Sequence, residues 1–145
     1  MPGINLQVTT DSWGVGDLKW MLTRKGFDTG RPCTIDFSLF NALHYVNGFI
    51  PSGTALGIVT ATGRVGPYST LLSNGLDVAV GLLLHDVRAK DASGNVFTSG
   101  FALDTYIWEG VVSLSRLPTF TGAAAALGVL DAPGQADLKF MKFEA

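Results

Sequence analysis

Nucleophilic, metal or phosphate chemistry would have to come from very few side chains in this sequence. The 145 residues include two histidines, His44 and His85, and one cysteine, Cys33. His85 sits beside Asp86, but successive residues of a strand point to opposite faces, which spoils a simple His–Asp relay. Both histidines are read as structural or surface residues. Cys33 has no intrachain disulfide partner, and no Cys/His pair has zinc spacing. It reads as a small buried hydrophobe and not as a reactive thiol. There is no Gly-x-Ser-x-Gly nucleophile turn and no Gly-Lys-Ser/Thr phosphate loop. Gly53, Gly57 and Gly63 do not fit a dinucleotide fingerprint. The expectation is a protein that is not an enzyme and takes no metal and no cofactor.

Backbone elements therefore carry the information, and residues 48–57 carry most of it. Gly48-Phe49-Ile50 leads into Pro51-Ser52-Gly53-Thr54 and then Ala55-Leu56-Gly57. Pro51 presets φ for the second residue of a turn and Gly53 suits the fourth. The chain is expected to reverse here, with residues 54–59 leaving as a strand. Residues 35–40, 58–64, 78–88, 101–108 and 111–117 have strand-like composition, and residues 91–95 read as a loop. Residues 79–84 are nearly all apolar, as expected of a strand covered on both faces. Short strands with regular turn signals point to a mainly β, β-clip-like compact barrel, not a βαβ fold. In the tail, residues 123–127 give the strongest helical signal. Asp131 and Pro133 fit the N-cap and first turn of a short C-terminal helix. Residues 139–143 read as a closing edge strand.

Composition bounds the rest. Charged residues make up 15% of the chain, against about 25% in ordinary soluble domains. Apolar residues make up 47%, with no run near the roughly 20 residues that cross a bilayer. In a single small domain that excess fits burial in subunit contacts, where charge is depleted. The net charge is −2 with no dense basic block, so neither nucleic acid nor a membrane is an expected partner. Residues 1–5 lack the basic and apolar regions of a secretory signal.

The order of motifs in residues 44–88 resembles a known family. His44-Tyr45, then Asn47-Gly48-Phe49-Ile50-Pro51-Ser52-Gly53-Thr54 and Leu56-Gly57 come first. Thr60-Ala61-Thr62-Gly63-Arg64, Gly66-Pro67-Tyr68, Asn74-Gly75 and Ala79-Val80-Gly81-Leu82-Leu83-Leu84 follow. This is similar to the head decoration proteins of tailed bacteriophages, the lambda protein D type. The resemblance covers about residues 41–117, including residues 111–117, and extends more loosely to the tail. The resemblance implies a homotrimer on the outer capsid surface of the virion that clamps the major capsid protein after shell expansion. Gly75-Leu76-Asp77-Val78 also resembles a short dUTPase motif, but that family's Arg-Ser-Gly and Tyr-Arg-Gly segments are missing.

Residues 1–40 are aperiodic and Gly-rich, and hold two of the three tryptophans. They are expected to form an extended capsid-binding arm, and residues 41–145 the β-rich domain. Trp13 and Trp20 would fill apolar pockets on the shell, and Lys19, Arg24, Lys25 and Arg31 would meet acidic rims. Ile35 and Phe37 would belong to a strand added to a capsid sheet edge. The competing expectation is a receptor- or glycan-binding module on the capsid, for which Trp108 beside Glu109 is the one candidate.

Overall fold

The computed structural model describes residues 18–145. Its strands are β1 (Arg31–Asp36), β2 (Phe49–Ile50), β3 (Ala55–Ile58), β4 (Val65–Pro67) and β5 (Gly81–Leu83). They continue with β6 (Val87–Arg88), β7 (Phe101–Ile107), β8 (Gly110–Ser113) and β9 (Met141–Glu144), and one short helix, α1, spans Ala132–Asp137. The fold is mainly β. Strands β1, β4, β3, β5 and β7 close into a barrel in that order. The long seam is β1 against antiparallel β7, from Arg31 opposite Tyr106 to Asp36 opposite Phe101. β1 meets β4 in parallel at Ile35 and Val65. Closure leaves these strands no open edge. β2 pairs with β6, and β8 pairs in parallel with β9.

Two apolar clusters result from the period-2 alternation of the strands. Cys33, Ile35, Leu56, Val65, Leu83 and Tyr106 contribute to one, with Phe37 and Phe40 beyond the end of β1. Trp20, Ala55, Tyr68, Leu82, Leu84, Ile107, Val112, Leu138 and Met141 form the other. Leu83 belongs to the first cluster and its neighbours Leu82 and Leu84 to the second. β5 is thus covered on both faces, as its unbroken apolar run implies. Each fully buried Leu or Ile contributes about 1.5–3 kcal/mol relative to exposure.

Several boundaries differ from the expectation, each for a local reason. The reversal at Pro51 is shifted by one residue. The Thr54 N–H donates to the Pro51 carbonyl, so Pro51 is the first turn residue and Gly53 the third, with φ of 91°. That position needs a left-handed backbone, which glycine supplies without strain. Residues 35–40 do not form one strand. Asp36 ends β1 by accepting hydrogen bonds from the Ser38 N–H and hydroxyl, which caps a 3₁₀ turn over Phe37–Leu39. Residues 78–88 split into β5 and β6 around His85 and Asp86. Residues 111–117 end in a 3₁₀ turn over Leu114–Arg116. The alanine run makes only a 3₁₀ turn, Gly122–Ala124. Gly122 and Gly128 bracket it with positive φ, leaving too few residues to repay helix nucleation. Helix α1 starts as expected, with Asp131 accepting from the Gly134 N–H.

The boundary at residue 40 is also corrected. β1 lies inside the closed barrel and cannot be an arm separate from residues 41–145, because removing it would open the seam with β7.

Gly75 tests how tightly these turns are packed. It has φ of 101°, and a Cβ there would lie 2.1 Å from the Ile58 carbonyl oxygen. Gly63 has φ of 72° with nothing within 4 Å of its Cβ position. Gly75→Ala should cost about 2 kcal/mol or more, and Gly63→Ala about 1 kcal/mol, in urea unfolding. Equal costs would contradict the packing described.

Candidate interaction surface

The residues expected to bind a shell fall into three groups. Trp13 lies outside the described residues. Trp20, Ile35 and Phe37 are core residues, at 1%, 0% and 3% exposure. The Trp20 indole N–H donates to the Ser52 hydroxyl at 3.0 Å, and the flanking backbone pairs with β8 through Met21 opposite Val112. The expectation that Trp20, Ile35 and Phe37 reach out to a capsid is therefore corrected: they fill their own domain. Aromatic anchors without periodicity looked like an arm because their partners, Ser52 and β8, lie far along the chain.

Lys19, Arg24, Lys25 and Arg31 are exposed. The Lys19 carbonyl accepts from Arg116 at 3.1 Å. Arg31 stacks over the Trp108 ring, 4.7 Å from its centroid. Phe140 meets the same ring edge-on at 5.4 Å, and the indole N–H donates to the Thr29 carbonyl at 2.7 Å. Glu109 accepts from the Thr29 hydroxyl at 2.6 Å. Trp108 and Glu109 are thus engaged within the chain, which weighs against the open stacking face a glycan needs.

The titratable groups build structure. His44 is fully buried. Its Nδ1 accepts from the Asn41 N–H at 2.9 Å, and its Nε2 faces the Leu127 carbonyl at 3.0 Å. The ring is therefore neutral with its proton on Nε2. It completes a capping box at Ala42–His44 and ties that turn to the tail. Burial lowers its pKa below the ordinary histidine value, although the Leu127 and Asn41 carbonyls oppose the shift in part.

His85 does not pair with its neighbour Asp86. Its Nδ1 lies 2.7 Å from Asp104 Oδ1, across the sheet. Asp104 is opposite Cys33 in the β1–β7 register. Burial, with Asp104 as a secondary cause, pushes the Cys33 thiol up to about 12. A thiol held protonated is a poor nucleophile. Asp104 itself also accepts from the Thr105 N–H. Among the described residues, no group of three or more His, Cys, Asp or Glu side chains is placed to hold a metal ion.

A hydrogen-bonded arrangement around half-buried Asp131 closes the tail. The Tyr68 hydroxyl donates to Asp131 Oδ1 at 2.7 Å, and the same oxygen accepts from the Gly134 N–H at 2.9 Å. Burial alone would raise the Asp131 pKa, but the donors Tyr68, Gly134 and Thr70 outweigh it and hold the carboxyl below its usual range.

The outer surface offers more. Phe101 and Leu103 point outward from β7, at 53% and 85% exposure. Thr34 of β1 lies opposite Leu103, and Arg64 covers part of Phe101 at 4.1 Å. Elsewhere, Lys25 lines a groove of about 320 Å³ with Thr23, Val111, Phe140 and two lysines that sequence reading did not single out, Lys139 and Lys142. Their alternation with apolar residues was visible in the sequence. Their approach to Lys25 depends on β8–β9 pairing, which no local pattern encodes.

Comparison of the chain with family models, curated proteins and solved structures found no match.

Two predictions follow from this chemistry. Trp20→Ala should destabilise the domain by about 3–5 kcal/mol; a change under about 1 kcal/mol would return Trp20 to the role of an external anchor. His44 has a folded pKa below its unfolded value, so acid favours the unfolded state, which binds the proton. Stability should fall as pH drops below the ordinary histidine pKa, by up to about 1.4 kcal/mol per pH unit. Urea unfolding between pH 7.5 and pH 5 measures this, with NMR titration of the His44 ring as the direct check. A His44 pKa above the ordinary value would contradict the assignment.

Proposed function

We propose that this protein is a structural virion protein, a β-clip-like decoration protein that binds the outside of an expanded phage head and stabilises it. The reading rests on the ordered motifs of residues 44–88, whose resemblance is to head decoration proteins. Those residues contribute β2 through β6. The observation that carries it is apolar surface left over after the core is filled. Leu103, Leu71, Phe140 and Phe101 are 85%, 78%, 70% and 53% exposed in a chain with only 15% charged residues. Exposed apolar side chains in a charge-poor domain are what subunit contacts require.

In this reading three copies surround a three-fold axis, and the outer face of β1 and β7 meets a sister copy. Heterologous contacts about such an axis close into a ring and saturate. The major capsid protein is the other partner. Each copy contributes a weak contact to the shell, and the trimer multiplies them through effective concentration. The part is mechanical: it bridges shell subunits and resists the outward pressure of packaged DNA.

The experiment is sedimentation of purified protein with expanded, undecorated shells. The wild type should add to saturation. Leu103→Asp should leave the fold within about 0.5 kcal/mol of wild type and reduce shell affinity at least about tenfold, through loss of avidity. A wild-type protein that never sediments with shells would overturn the decoration reading. An unaffected Leu103→Asp variant would overturn the placement of the sister contact on β7.

A further inference from the structure

One mouth of the barrel opens into a groove of about 300 Å³ whose walls fit one kind of ligand. β1 and β5 begin at this end of the barrel, and β3 and β7 finish there. The interior apolar cluster comes to the surface between them. Tyr106 belongs to that cluster, Ile58, Val80 and Trp108 pack against it, and all four line the groove. Residues 137–140, from the last residue of α1 onward, add to the wall. Barrel mouths are a common place for ligand sites.

Arg31 begins β1 opposite Tyr106, and residues directly opposite each other share a face of the sheet. Its guanidinium lies over the Trp108 ring, which is itself held by Phe140 at its edge and by Thr29 through the indole N–H. A guanidinium over an aromatic ring keeps its in-plane N–H groups available. Among the described residues, the Arg31 side chain makes no hydrogen bond or ion pair. Lys139 is the second cation of the wall, exposed and likewise without an ion pair among the described residues. One acid lines the groove with them: Asp137 is exposed and accepts from the Ala79 N–H at 3.0 Å. Two cations against one carboxylate leave the lining a net charge of +1. Asp28, Asp77 and Glu109 are close in sequence but do not line it, and Glu109 accepts from the Thr29 hydroxyl at 2.6 Å. Tyr106 is 6% exposed, and its hydroxyl has no hydrogen-bond partner among the described residues.

We propose that this barrel mouth binds a small carboxylate with an apolar body, an arylalkyl or branched alkyl acid. The carboxylate takes two N–H groups of Arg31, with Lys139 as the second positive charge. The body lies against Ile58 and Val80, both half-buried. The volume stands at the lower end of ligand sites, which run from about 300 to 1,000 Å³, so a body of one ring or one branched chain suits it. A nucleotide base would need ring surface to stack on, and Arg31 and Phe140 already use that of Trp108. Shell decoration needs no such ligand, so this site and the decoration reading stand or fall separately.

The test is an NMR titration of ¹⁵N-labelled full-length protein with 3-phenylpropionate. The comparisons are its neutral isostere, 3-phenylpropionamide, and the peptide acetyl-Gly-Gly-Phe with a free terminal carboxylate. The acid should give saturable shifts centred on Arg31, Val80, Tyr106, Leu138 and the Trp108 indole N–H. The amide should bind at least about fivefold more weakly, because it lacks the charge-assisted pair with Arg31. Arg31→Lys keeps the charge but loses the planar fork, and should weaken binding at least about threefold. Arg31→Gln should weaken it at least about fivefold while β1 and β7 amides stay in place. If that variant misfolds, Lys139→Gln serves, and should weaken binding at least about twofold. Asp137→Asn removes the opposing charge, keeps an acceptor for the Ala79 N–H, and should tighten binding about twofold. No saturable shift, shifts elsewhere, equal binding of the amide, an unaffected folded Arg31→Gln variant, or weaker binding by Asp137→Asn would each overturn the site. A peptide that binds at the same residues more tightly than the acid would overturn the assignment to a small molecule. Shell sedimentation is read independently. Shell binding without acid binding keeps the decoration reading and removes this site, and acid binding without shell binding does the opposite.

Discussion

Ser52 is the point at which the separate parts of this domain are tied together. Its N–H donates to Asp86 Oδ1 at 2.7 Å, and its hydroxyl donates to the Leu84 carbonyl at 2.7 Å while accepting from the Trp20 indole at 3.0 Å. The next residue, Gly53, donates its N–H to the Leu83 carbonyl at 2.7 Å. One short turn thereby joins the N-terminal segment, β5 and the link to β6. Ser52 is 5% exposed and Trp20 1%, so leaving any of these groups unpaired would cost about 1–3 kcal/mol. The turn fits there because Gly53 takes positive φ and lacks a Cβ, which would lie 2.9 Å from Pro118 and 3.1 Å from Trp20.

That tie decides what the N-terminal segment is. Residues 18–36 hold Trp20, which packs in the second apolar cluster, and β1, which the barrel needs for closure. Basic side chains along the same stretch stay on the surface. The segment therefore turns Trp20, Cys33 and Ile35 inward and Arg24, Lys25 and Arg31 outward. The closed barrel leaves its five strands no free edge of their own. Outside the barrel lie the two-stranded sheets β2–β6 and β8–β9.

Much of the fold was legible in local pattern. The turn at Pro51 to Thr54, the doubly covered β5, the long β7 and the Asp131 cap all follow from residue chemistry within a few positions. What was not legible depends on register or on distant partners. The β1–β7 register brings Asp104 opposite Cys33 and within reach of His85, and no spacing rule in the sequence links those three. Residues 1–40 read as an arm because Trp20 finds its hydrogen-bond partner 32 residues away. The alanine run read as a helix because propensity was weighed without the flanking glycines. Of the expected contact residues, the charges Lys19, Arg24, Lys25 and Arg31 stayed on the surface. Lys139 and Lys142 joined Lys25 only through the parallel pairing of β8 with β9.

The proposed function turns on one surface, the exposed apolar side chains Phe101 and Leu103 of β7. The most direct measurement is a reconstruction of decorated shells at a resolution that places side chains. The account predicts three-fold density, with Leu103 buried between sister copies. Decoration without three-fold symmetry, or with Leu103 uncovered, would contradict it.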